Sequence, residues 1–143
     1  MKGKIQEKKT TYKQYSIRWI KTNYSEIGSH EDYYFYGFSR GKTLLYIGNT
    51  IKQDVKDRID QHIRIKFKNE THGLQIWLGV LSYSHIEKVS DKLIRDLESL
   101  IIFRNQPSIN HQCKKNYTGN GYIMIHNVGM PLLKRRIHFN SNE

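Results

Sequence analysis

The chain has no alanine and only one cysteine, Cys113, among its 143 residues. One cysteine excludes an intramolecular disulfide and any multi-cysteine zinc site, and it fits a reducing cytosol. No apolar stretch approaches the roughly 20 residues that a membrane span needs. The Lys-rich start lacks the apolar core of a signal peptide. A cytoplasmic protein with no membrane partner is therefore expected. The missing alanine, beside abundant Lys, Ile, Asn and Tyr, resembles AT-rich coding bias and points to no function. No internal repeat, low-complexity block or interdomain linker is found, so one domain over residues 1–143 is expected. No recognisable nucleophile motif of a serine or cysteine hydrolase is present. Negative charge is scarce too: 13 acidic residues face 24 basic ones, a net charge of +11. Solubility needs far less. The excess points to a polyanionic partner, nucleic acid ahead of an anionic membrane surface.

The elements follow from hydrophobic spacing. Residues 1–11, with four lysines, read as a basic arm. Tyr15, Ile17 and Trp19 alternate with polar residues, the pattern of a strand. Residues 28–32 read as a loop. Tyr33–Phe38 and Thr43–Gly48 read as two strands, and the intervening Ser39-Arg40-Gly41-Lys42 suits a hairpin turn. Asn49-Thr50 can cap a helix whose apolar stripe is Ile51, Val55, Ile59 and Ile63. Leu74–Tyr83, a long apolar run, reads as a central strand. Ser90-Asp91 caps a second helix to about Phe103, stopped by Gln106-Pro107. Tyr122–Val128 reads as a further strand. The class is α/β (α+β): a small, mostly antiparallel sheet flanked by helices.

Polar residues fall at telling positions in this scheme. Tyr36 and Tyr46 sit on paired strands. Arg58 and His62 lie four residues apart on the next helix, stacked one turn apart beside its apolar stripe. Together they could form one polar cluster suited to a phosphodiester. On the second helix, Glu98 falls between Ile94 and Ile102 at the edge of the apolar face. A carboxylate there is partly desolvated and needs a partner, either an arginine of the first helix or a divalent cation. Asn110, twelve residues on, is a turn former or a hydrogen-bond donor supporting that carboxylate. His111, Cys113 and His126 match no common zinc spacing.

These residues, in this order, resemble the GIY-YIG nuclease family, small α/β domains that cleave DNA in excision repair, intron homing and restriction. The second triplet of that family stands intact as Tyr46-Ile47-Gly48. The first aligns with Tyr34-Phe35-Tyr36, bulkier than usual. The resemblance covers residues 33–112 and leaves 113–143 as a C-terminal extension. It assigns site roles to Tyr36, Tyr46, Arg58, His62, Glu98 and Asn110, with Glu98 as the metal ligand for Mg2+ or Mn2+. Twelve residues separate Tyr46 from Arg58 where ten is commoner, which implies a longer loop through Thr50-Ile51-Lys52-Gln53. Gly48 is expected to let the chain turn tightly toward the helix.

The resemblance implies metal-dependent hydrolysis of a phosphodiester in double-stranded DNA. Arg58 would clamp a phosphate oxygen and Tyr46 would hold the water or phosphate. Tyr36 or His62 would take the proton; ionising an ordinary tyrosine at pH 7 costs about 4 kcal/mol, whereas histidine needs no such shift. With little room for a targeting domain, a restriction-like, phage or mobile-element enzyme is expected. Cutting both strands favours a homodimer, with Trp19, Tyr24 and the tail from Tyr117 as candidate dimer or DNA contacts. The competing readings are a catalytically silent nucleic-acid-binding module and a structure-specific repair nuclease.

Overall fold

The computed structural model describes residues 12–27, 33–51, 53–83, 89–112, 114, 116–117, 119 and 121–139, the side chains of Tyr24, Tyr33 and Tyr83 excepted. The expected basic arm, the loop at 28–32 and Cys113 lie outside them. The elements are β1 (Lys13–Thr22), β2 (Tyr33–Arg40), β3 (Thr43–Asn49), α1 (Val55–Ile65), β4 (Leu74–Tyr83), α2 (Asp91–Asn105), β5 (Ile123–Val128) and β6 (Arg136–Phe139), with a 3-10 turn at Tyr24–Glu26. One six-stranded sheet has the order β3-β2-β4-β1-β5-β6. It is mixed: β1 runs parallel to β5, and the other paired neighbours are antiparallel. The broad α/β expectation holds as one sheet with two helices.

Local chemistry explains most boundaries. β2 and β3 close on Gly41-Lys42, between the paired Arg40 and Thr43. Gly41 has φ of 59°, the left-handed region that a tight hairpin requires. β4 is apolar on both sides because it lies between β2 and β1 with a helix packed on each face. Ser90 caps α2, its hydroxyl accepting from the Leu93 amide at 3.1 Å. Gln106, in the left-handed region at φ 51°, ends it just before Pro107.

Two expectations need correction. α1 is not capped by Asn49-Thr50. Its N-cap is Asp54, whose carboxylate accepts from the Asp57 amide at 3.3 Å. Ile51 therefore leaves the helix stripe and packs against the α2 side of the core. The longer connection after β3 agrees with the longer loop expected from the sequence. The second is β6, a strand beyond those expected from the sequence. Ile137 is buried there, and the flanking Arg136 and His138 point outward.

The core lies on both sides of the sheet. α2 contributes Leu93, Ile94, Leu97 and Leu100 to a cluster with Tyr15, Ile17, Trp19 and Phe35. α1 contributes Val55, Ile59 and Ile63 to a second cluster with Tyr36, Phe38, Ile76 and Leu78. Each large aliphatic side chain removed from water contributes about 1.5–3 kcal/mol, which fixes both helices against the sheet. Trp19 is thus a core residue, its indole N–H donating to the Asn127 Oδ1 at 3.1 Å, and Tyr117 is buried as well. Neither of these two side chains is free for a dimer or DNA contact; the burial of Tyr117 does not extend to the rest of the tail, where Lys134, Arg135 and Arg136 are exposed, and the Tyr24 side chain lies outside the described ones.

Candidate functional site

The pairing of β2 with β3 sets Tyr36 directly across from Gly48. A Cβ at position 48 would lie 2.5 Å from the Tyr36 hydroxyl and from its ring carbon Cζ. Gly48 therefore clears space for the tyrosine ring. It is an interior strand residue, not the turn residue expected from the sequence.

Tyr36 has no exposed surface, and its hydroxyl lies 2.8 Å from Nδ1 of His62. Either the phenol donates to Nδ1 or Nδ1–H donates to the phenol oxygen, according to the histidine tautomer. The Tyr46 ring packs on the same imidazole with centroids 4.5 Å apart. Arg58, one turn before His62, donates from Nη1 to the Gln61 Oε1 at 3.2 Å. Glu98 reaches the group from α2, and its Oε2 accepts from the Asn49 side-chain amide at 3.0 Å.

Burial governs the electrostatics of this cluster. It pushes the Tyr36 phenol well above its ordinary range; the neighbouring Tyr46 adds to the rise and the Arg58 charge opposes it. Tyr46 is raised by burial and then by Glu98, against Arg58 and a hydrogen bond with Tyr36. His62 is pushed down to about 4 by burial and then by the Arg58 charge. Glu98 rises to about 7 through burial, opposed by the Asn49 hydrogen bond and by Arg58 and Arg95. At neutral pH the tyrosines and the histidine are uncharged, and Glu98 stands near its midpoint.

The fold thus brings together Tyr36, Tyr46, Arg58, His62 and Glu98 from β2, β3, α1 and α2. Tyr46 and Glu98 line a cleft of about 90 Å³ together with Lys66, Asn110 and His111. Asn110 has a different task from the one expected of a donor to Glu98. Its Oδ1 accepts from the Ile47 amide and its Nδ2 donates to the Ile47 carbonyl, both at 3.0 Å. Beside it the Ser108 and Ile109 amides donate to the Leu44 and Leu45 carbonyls. Asn110 therefore pins the segment after α2 to the open edge of β3.

Sequence reasoning missed Asn49 as the donor to Glu98, because an asparagine ahead of a helix reads as its cap. Its Oδ1 also accepts from the Ile51 amide at 3.0 Å, which fixes the side chain. Lys66, at the C-terminal end of α1, supplies a cation to the cleft. Among the described residues, no group of three or more His, Cys, Asp or Glu lies together. A magnesium site built on one carboxylate and completed by water and phosphate needs no such group. A buried carboxyl raised to about 7 is the kind of group that an adjacent divalent cation would restore to its anionic form. Comparison with known proteins adds no relative: no family model, curated protein or solved structure matches the chain.

Proposed function

We propose that the protein is a divalent-metal-dependent endonuclease of the GIY-YIG kind acting on double-stranded DNA. The observation that carries this reading is the convergence of Tyr36, Tyr46, Arg58, His62 and Glu98, from four elements, on one largely desolvated cluster at the β3 side of the sheet. The succession β2, β3, α1, β4, α2 is also the order expected of a GIY-YIG-like core over residues 33–112. The extension 113–143 supplies β5 and β6 to the same sheet, which supports a single domain.

Mg2+ or Mn2+ held by Glu98 would supply positive charge at the scissile phosphate and the leaving oxygen. The chain's own residues do the remainder. Arg58 binds a phosphate oxygen with its planar guanidinium. Tyr46, on the cleft surface, holds the phosphate or the attacking water. Asn49 orients the Glu98 carboxylate. The proton of that water is passed inward from Tyr46 to the neighbouring Tyr36, whose ring centroid is 6.0 Å away, and on to His62, which is hydrogen bonded to the Tyr36 hydroxyl. What favours His62 over Tyr36 as final acceptor is charge state. The imidazole is neutral at pH 7 and can accept a proton without first ionising; burial and Arg58 hold it at about 4 and make it a weak base, while burial makes a Tyr36 phenolate more costly than an ordinary one.

The net charge of +11 supports a DNA substrate for a restriction-like, phage or mobile-element role, and cutting both strands would favour a homodimer matched to duplex symmetry. Incubation of plasmid DNA with wild type and with Glu98→Ala, in Mg2+ and in EDTA, tests the reading. Cleavage is expected only from wild type with Mg2+, and DNA binding is expected to persist in the variant. Binding without cleavage by wild type would establish the silent-module alternative instead. Cleavage confined to branched or damaged DNA would indicate the repair alternative.

A further inference from the structure

Among the described residues, the two helices leave part of the sheet bare. On the α1 side the helix packs over Tyr36 and Phe38 of β2 and Ile76 and Leu78 of β4. Beyond it, the register sets Arg18 beside Val80 and Ser16 beside Ser82. The next strand places His126 and Val128 beside Ser16 and Arg18, and Arg136 then pairs with His126. Residues paired across a ladder point to the same side, so these side chains form one continuous surface. It is open: Arg18, Ser82, Arg135 and Arg136 are exposed, and Val128 is 50 % exposed. A depression of about 630 Å³ lies in it, lined by Gln14, Ser16, Ser82, His126 and Arg135 among others.

The chemistry of this face is one-sided. β1, β4, β5, β6 and the connection 129–135 contain no Asp or Glu, and none occurs between Glu98 and Glu143. Arg18, Arg135 and Arg136 have no ion-pair partner among the described residues. The floor between them carries the hydroxyls of Ser16 and Ser82 and the Gln14 amide beside Val128, with His126 Nε2 and Gln14 Oε1 3.1 Å apart. Uncompensated guanidiniums around hydroxyl and amide groups suit a partner that offers many anionic oxygens. Aromatic rings near the face are already engaged: Tyr12 packs on Tyr122 and on His138, with centroids 6.1 and 5.6 Å apart. Backbone contact is thereby favoured over stacking of unpaired bases.

We infer that the bare α1-side face of β1, β5 and β6 is a second nucleic-acid contact, which grips the phosphates of duplex DNA through Arg18, Arg135 and Arg136. At about 4.8 Å per strand, the β6 side of the sheet lies roughly 24 Å from β3 and the candidate cleft. This assignment rests on reading the protein as one that acts on DNA, and not on cleavage itself.

The test is a titration of a short fluorescein-labelled duplex, followed by anisotropy in EDTA, from about 50 to about 200 mM salt. The variant Arg18→Ala/Arg135→Ala/Arg136→Ala is compared with Lys42→Ala/Arg64→Ala/Lys68→Ala, which removes equal charge elsewhere. Thermal melting checks that both remain folded. The face variant should lose roughly tenfold or more in affinity, and its slope of log K against log salt should fall by about 3. The control should change far less. Ser82→Glu, which adds a charge to the floor without removing a guanidinium, should also weaken binding.

Equal losses in the two triple variants would overturn the inference and leave the nuclease reading standing, since net charge alone would then hold the DNA. A selective loss in the face variant, with no cutting by wild type in Mg2+, would uphold the face and sink the nuclease. Absence of duplex binding by wild type would overturn both. Binding to phosphatidylserine vesicles through the same arginines, with none to duplex, would overturn the inference in favour of a membrane surface.

Discussion

The hydroxyl of Tyr36 lies 2.8 Å from Nδ1 of His62, between a phenol with no exposed surface and an imidazole that is nearly as buried. The contact joins β2 to α1 at the middle of the candidate site. Both partners are uncharged at pH 7, so the bond is one between neutral groups and its loss is one of packing and proton transfer, not of ion pairing.

Tyr36→Phe keeps the ring and removes the hydroxyl, leaving Nδ1 of the buried imidazole with only the longer contact to the Arg58 carbonyl at 3.4 Å. The expected stability loss is about 1–2 kcal/mol, read as a lower urea midpoint. Plasmid cleavage should fall by about 100-fold or more if the hydroxyl passes a proton to His62. Cutting at the wild-type rate would remove Tyr36 from the chemistry.

Gly48→Ala places a methyl group 2.5 Å from the Tyr36 hydroxyl and ring. Displacing that ring should cost about 1–3 kcal/mol. Coupling should be visible with Tyr36→Leu: the double variant should lose less stability than the two single variants added together. Strict additivity would mean that the methyl group disturbs something other than the ring.

Stability of the metal-free protein should depend on pH through two opposed groups. Glu98 is raised to about 7 when folded, so its favourable contribution is complete below the ordinary carboxylate pKa and is lost as pH rises through 7. Glu98→Gln should therefore melt higher than wild type at pH 8, with the gap closing at pH 4. His62 is lowered to about 4, so the unfolded chain binds its proton first, and stability falls as pH drops from about 6.5 toward 4. His62→Gln should flatten that acid limb. Melting curves of both variants across pH 4 to 8 check the two signs.

Asn49→Ala removes the amide that donates to Glu98 and frees the Ile51 amide as well. A carboxylate that has lost its orienting donor binds a cation less well, typically by about 10-fold or more. The Mg2+ concentration for half-maximal cleavage should rise by that factor at pH 7, while duplex affinity in EDTA stays unchanged. An unaltered Mg2+ requirement would show that Asn49 does not orient the carboxylate.

Much of this arrangement was legible in the chain because it rests on short-range signals. The runs at 33–38 and 43–48, the turn at Gly41 and the Ser90 cap each carry their own local chemistry. Arg58 and His62 are placed together by helical spacing, and Glu98 by its position on the edge of an apolar face. What was not legible depends on contacts distant in sequence. Asn49 looked like a cap because its partner on α2 is 49 residues away. Asn110 looked like a turn former or a donor to Glu98, whereas a backbone edge 63 residues away takes both ends of its amide. Gly48 looked like a turn residue because the ring it accommodates belongs to the neighbouring strand. β6 is four residues long, too short for its alternation to stand out among arginines.

The place of β1 in the sheet has a kinetic consequence. It lies between β4 and β5, so both of its neighbours come from much later in the chain. The Trp19–Asn127 hydrogen bond spans 108 residues. A hairpin such as β2–β3 closes in about 1–10 μs, whereas pairings of this separation wait on the closure of a large loop and are slow. Refolding followed by tryptophan fluorescence should therefore show a late phase as Trp19 is buried, absent from early probes of the hairpin. Until that phase ends, β1 presents an unpaired edge with Ile17 and Trp19 exposed beside it. This strand, with its one apolar face uncovered, is where mispairing between chains would begin during refolding at high protein concentration.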